Sequence, residues 1–130
     1  MLDLNMASTS GDDDAATVAM LMASAPSRPG AVLAVGRDAA RCHLVTPADW
    51  LFVSRVHLEF RCDQSGGWQV GWLRGSQDAP VAEVFLDDGE RRPLPYGGTL
   101  PLPRPGSGEV VIADRGGARR VTVGWFLATD

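Results

Sequence analysis

Gly36-Arg37 and Ser54-Arg55-Val56-His57 are the residues of this chain whose types and spacing best suit chemistry. Each group falls where an apolar run gives way to polar residues, so each is expected where a β-strand meets a loop. An arginine and a serine hydroxyl arriving from neighbouring loops suit one ligand group above others. A guanidinium offers a planar fork of N–H donors and a hydroxyl offers one more, which matches the oxygens of a phosphate.

Plainer readings stand beside this one. Arg37 is also placed to pair with Asp38 or Asp49, and Ser54 to bond its own backbone as a turn residue. Catalytic readings are weaker. Ser54 and His57 lie too close along one strand end for a triad, and there is no Gly-x-Ser-x-Gly elbow. Cys42, His43, His57 and Cys62 suggest a zinc site only by type: adjacent Cys42 and His43 point to opposite faces of a strand, and no Cys-x-x-Cys pair is present. Gly106-Ser107-Gly108 reads as a turn. No enzyme activity, metal or cofactor is expected.

Composition narrows the field further. The 12 basic residues are all arginine, so Schiff-base chemistry and a P-loop lysine are excluded. A net charge of −4 argues against binding along a nucleic-acid backbone, so any anion site must be local. Two cysteines, Cys42 and Cys62, make no disulfide framework. No apolar run reaches the ~18 residues of a membrane span, and the N-terminus lacks a secretory pattern, so no membrane partner and a cytoplasmic location are expected. At 130 residues a single domain suffices, able to bury roughly two thirds of its unfolded surface.

The elements that must position these residues are strands. Val56–Cys62 alternates apolar Val56, Leu58, Phe60 and Cys62 with His57, Glu59 and Arg61; Trp68, Val70 and Trp72 repeat the pattern after a Ser65-Gly66-Gly67 turn. Val81–Leu86 ends at Asp87-Asp88-Gly89, a hairpin signal. Prolines demote Thr99–Leu102 to an edge or irregular strand. Glu109–Ala113 and Arg120–Leu127 flank Arg115-Gly116-Gly117 as a last hairpin. Residues 16–24 suit a short helix or a strand. The Pro26–Gly30 turn and the apolar run Ala31–Val35 favour the strand, with the two runs as a hairpin. Residues 1–15 are expected to be a flexible tail, leaving 16–130 as the domain. Fifteen glycines and nine prolines fit an all-β sandwich or barrel.

Val35-Gly36-Arg37, then Ser54-Arg55-Val56-His57 with Phe60 and Trp68 following, resemble the forkhead-associated (FHA) family. So do Phe85–Arg91 and Leu94-Pro95-Tyr96-Gly97-Gly98-Thr99-Leu100, over roughly residues 16 to 127. The resemblance implies an all-β sandwich of about eleven mostly antiparallel strands that binds phosphothreonine peptides. It assigns Arg37 and Ser54 to the phosphate and Arg55 to the phosphate or the peptide backbone. Gly36 and His57 become structural supports, His57 fixing the loop that carries Ser54. The implied partner is a phosphothreonine protein, the substrate of a Ser/Thr kinase, in phosphorylation-dependent signalling, with a homodimer as a further option.

One loop departs from the pattern. Where the family carries Asn-Gly followed by Thr or Ser, this chain has Arg74-Gly75-Ser76, assigned to peptide contact. Arginine donates but cannot accept, so it cannot reproduce both halves of an amide contact. The alternative reading is therefore a degenerate FHA domain acting as a phosphate-independent scaffold or dimerisation module. Trp50, Leu51 and Phe52, just before Ser54, either anchor that loop in the sandwich or form an exposed patch.

Overall fold

The alternating apolar residues need two surfaces to bury them, and the chain supplies two sheets. In a computed structural model, residues 1–11, 16–72, 82–86, 89–94, 97–114 and 119–128 are described. Among them are eleven strands and no helix, hence none long and apolar enough to cross a membrane. The strands are β1 (Leu2–Ser10), β2 (Ala16–Ala25), β3 (Val32–Gly36), β4 (Leu44–Val45), β5 (Leu58–Cys62) and β6 (Trp68–Trp72), then β7 (Ala82–Leu86), β8 (Arg91–Leu94), β9 (Thr99–Pro101), β10 (Gly106–Ala113) and β11 (Arg119–Leu127). One sheet runs β2-β1-β11-β10-β7-β8 and the other β4-β3-β5-β6-β9.

Every paired neighbour is antiparallel except β3 and β4, which run parallel through Val35–Leu44 and Gly36–Val45. The inward faces meet in one core, where Phe60, Trp68 and Val70 of one sheet oppose Val110, Ile112, Val121, Val123 and Trp125 of the other. Trp68 is buried, and its indole N–H donates to Ser27 Oγ at 3.0 Å, so its one polar atom is satisfied.

The late hairpins form as their turn signals require. β7 pairs with β8 and β10 with β11, and β9 takes an edge position against β6. The turn residues 87–88 and 115–118 lie outside the described residues; Gly89 adopts a φ of +86°, which suits glycine.

Two expectations are corrected. Residues 2–10 are not a flexible tail but β1, the second strand of the six-stranded sheet. Leu2, Leu4 and Met6 alternate with Asp3, Asn5 and Ala7 and are buried, and β1 pairs on both sides, with β2 and β11. A continuous ladder to β11 and a second to β2, shifted by a bulge between Ser8 and Thr9, hold a strand whose own propensity is poor. The second correction concerns β2, which is a strand but not the hairpin partner of β3. It pairs with β1, while β3 belongs to the other sheet. Pro26–Gly30 thus carries the chain between sheets, and Gly30, with φ +89°, supports that turn.

Candidate functional site

Both singled-out motifs lie at one end of the five-stranded sheet, and backbone hydrogen bonds tie them together. Beyond the last residue of β3, Arg37 N–H donates to the Ser54 carbonyl at 3.2 Å and Asp38 N–H to the Arg55 carbonyl at 3.0 Å. On the strand itself, His57 N–H donates to Val35 O at 2.8 Å. These bonds explain why β5 begins at Leu58 and not at Val56: the residues before it are committed to the end of β3. Gly36 makes the approach feasible. A β-carbon there would lie 2.2 Å from the Arg55 carbonyl oxygen and 2.9 Å from that of Ser54, and neither backbone atom can swing aside.

The Arg37 side chain is half-buried and folds over the loop that leads to Ser54. Its Nε donates to the Val53 carbonyl, and Nη1 reaches the Ala48 carbonyl at 3.4 Å. Among the described residues no carboxylate pairs with it. Asp38 instead faces Arg41 at 3.5 Å and accepts from Ala40 N–H at 2.9 Å. The guanidinium, bonded to carbonyl oxygens alone, therefore keeps a positive charge beside Ser54 that no described carboxylate compensates.

Ser54 is 7% exposed, and its backbone N–H donates to His57 Nδ1 at 2.9 Å. That bond fixes the imidazole as a neutral ring with its proton on Nε2. His57 is fully buried, stacks on Trp72 with ring centroids 5.5 Å apart, and has its pKa lowered to about 4 because burial disfavours the charged form. Arg55 is exposed, and its carbonyl also accepts from Cys42 Sγ at 3.2 Å. His43 clips the other side of β3, exchanging bonds with Ala34 through its own N–H and through Nδ1. Arg37, Ser54 and Arg55 thus converge with Gly36 and His57; Arg74, Gly75 and Ser76 lie outside the described residues.

The structure adds an anchor that sequence reasoning did not assemble. Of the three apolar residues before Ser54, Trp50 and Phe52 turn into the core and stack at 5.6 Å, while Leu51 is 69% exposed. The Arg119 guanidinium of β11 covers both rings, 5.8 Å from Trp50 and 5.2 Å from Phe52, and is held by Asp114 at 2.8 Å. The Ser54 loop is thereby fastened to the opposite sheet. No spacing in the sequence links Arg119 to residues so far upstream.

No protein-family model and no curated protein matches the chain. Solved structures do. An engineered FHA domain with a Myc-pTBD peptide aligns with a TM-score of 0.59 at 16% identity, over 97% of this chain and 91% of that one. The N-terminal FHA domain of Rad53p from S. cerevisiae, in complex with a phosphothreonine peptide, aligns at 0.54 and 13%, over 94% and 92%. The FHA1 domain of yeast Rad53 determined by NMR gives 0.54 and 12%, over 97% and 77%. At such identities the likeness is one of fold.

Proposed function

We propose that this FHA-like domain is a non-catalytic module that recognises phosphothreonine in a partner protein, in phosphorylation-dependent signalling. One observation carries the reading: Arg37, without a carboxylate partner among the described residues, is bonded through its backbone to Ser54 at the same sheet end. A phosphothreonine brings about −1.5 to −2 charges and three strong acceptor oxygens. With Nε kept on the Val53 carbonyl, the Nη groups of Arg37 give the phosphate a fixed fork. The Ser54 hydroxyl supplies a further donor, and exposed Arg55 contacts the phosphate or the peptide backbone. His57 touches no ligand in this scheme; it holds Ser54 in place. The Arg74-Gly75-Ser76 loop assists, with arginine in place of an amide favouring acidic residues beside the phosphothreonine.

The test is titration of the domain with a degenerate phosphothreonine peptide library and its unphosphorylated twin, followed by fluorescence anisotropy. Micromolar binding of the phosphorylated library alone is expected. Each lost charge-assisted hydrogen bond costs ~1.5–3 kcal/mol, or about 10- to 150-fold in affinity, so Arg37→Ala should remove measurable binding. Unchanged affinity in that variant would sink the assignment. A phosphate-independent scaffold is the second reading, favoured by the burial of Ser54. Equal binding of both libraries would select it.

A further inference from the structure

Two open sheets have four edge strands, and three of these are guarded. β4 is two residues long, and β9 is three residues ending in Pro101. β8 carries exposed Arg91, Arg92 and Pro93. Shortness, charge and proline are the standard ways of making a sheet edge unattractive to another strand. β2 has none of these three; a bulge at Val18, where the register to β1 shifts between Ser8 and Thr9, leaves Ala19–Ala25 as a regular edge. The strand runs ten residues, Ala-Thr-Val-Ala-Met-Leu-Met-Ala-Ser-Ala, without a charge, a proline or a glycine, and pairs on one side only, with β1. Met20 and Met22 stand 73% and 83% exposed on its outer face, with Leu21 between them at 38%.

We infer that β2 is a homodimerisation edge, pairing antiparallel with the β2 of a second copy across a two-fold axis at Leu21. The choice of a second copy rests on complementarity. Two neutral strands oppose no like charges, although the chain carries −4 overall. Centred on Leu21, the register sets Met20 of one copy against Met22 of the other, twice, as cross-strand pairs on one face. The two six-stranded sheets then continue as one across the axis, an isologous contact that closes on itself.

Centred on Leu21 the two strands overlap over residues 17–25, and nine residues at ~3.4 Å each give a contact about 31 Å long. A single strand edge falls short of the roughly 800 Å² per partner of a standard interface, so the dimer should exchange with monomer at micromolar or higher concentrations. This inference uses no part of the phosphate site and is tested without peptide.

The experiment is sedimentation equilibrium over about 1 to 500 µM, a range set by that interface class, with circular dichroism to verify folding. The wild type should rise from 13.8 kDa towards twice that mass. The double variant Met20→Lys, Met22→Lys sets lysine against lysine at both cross-strand positions and should dissociate at least about 10-fold more readily. Met20→Lys, Met22→Glu places each lysine opposite a glutamate of the other copy and should restore association. Both side chains are largely exposed, so the variants keep the folded monomer. A wild type that stays monomeric throughout overturns the inference, as does a dimer indifferent to the lysine pair. Failure of the Lys/Glu variant to recover overturns the Leu21-centred register.

Discussion

Acid should weaken this domain through one side chain. His57 is fully exposed to solvent when the chain unfolds, where its pKa is near 6.5, but is buried neutral in the fold with a pKa of about 4. Between these values the unfolded state binds a proton that the folded state does not, so stability rises with pH and falls as pH is lowered. The loss begins near pH 6.5, proceeds at up to about 1.4 kcal/mol per pH unit, and is complete near pH 4. Across that window it amounts to about 3 kcal/mol, a large share of the 5–15 kcal/mol typical of a domain. Carboxylates titrate in the lower half of the window, so the comparison needs His57→Leu, which cannot protonate. That variant leaves the Ser54 N–H without its acceptor and should lose ~1–3 kcal/mol at pH 7.5. Its stability should then depend less steeply on pH, and the two curves should converge towards pH 4. Urea unfolding followed by tryptophan fluorescence at half-unit steps from pH 4 to 8 measures both. Parallel curves, with the same slope in wild type and variant, would refute the buried neutral imidazole.

Two further substitutions test how the site is held. Gly36→Ala drives a β-carbon to 2.2 Å from the Arg55 carbonyl, so β3 and the Ser54-Arg55 segment must part. A loss of about 1–3 kcal/mol is expected in urea unfolding, together with loss of phosphopeptide binding, and wild-type values for both would show that the close approach is not required. Phe52→Ala and Leu51→Ala form a matched pair on adjacent residues. The first empties a buried position beneath Arg119 and should cost about 3 kcal/mol or more. Thermal unfolding should find Leu51→Ala within about 0.5 kcal/mol of wild type, and equal costs would contradict the inward and outward assignment.

Legibility in the sequence followed burial. Leu58-Glu59-Phe60-Arg61-Cys62 and Trp68–Trp72 alternate because one face meets the core, and large residues print that alternation clearly. The β7–β8 hairpin was legible from Asp87-Asp88-Gly89, since a tight turn demands residues of that kind. β1 escaped because Ser8 and Ser10 dilute its apolar face, and its order comes from two neighbouring ladders remote in sequence. The partner of β2 escaped for a related reason: Pro26–Gly30 signals a turn but not whether the chain stays in its sheet. β4 is two residues long and leaves no period to read. At the site, residue types announced Arg37, Ser54 and His57. The backbone bonds joining them and the Arg119 cover over Trp50 and Phe52 depend on three-dimensional approach alone.

The bonds from Arg37 to Ser54, Asp38 to Arg55 and His57 to Val35 also bear on time. Both arms of the site hang from one continuous stretch of sheet backbone, so a ligand finds them already placed and little chain entropy is spent on arrival. Association should therefore run at an ordinary docking rate of about 10⁵–10⁷ M⁻¹s⁻¹, without a slow closing step. With micromolar affinity that rate implies complexes lasting roughly 0.1 to 10 s. Under the proposed function, a phosphate held so briefly would stay open to phosphatases, and occupancy of the domain would follow the balance of kinase and phosphatase within seconds.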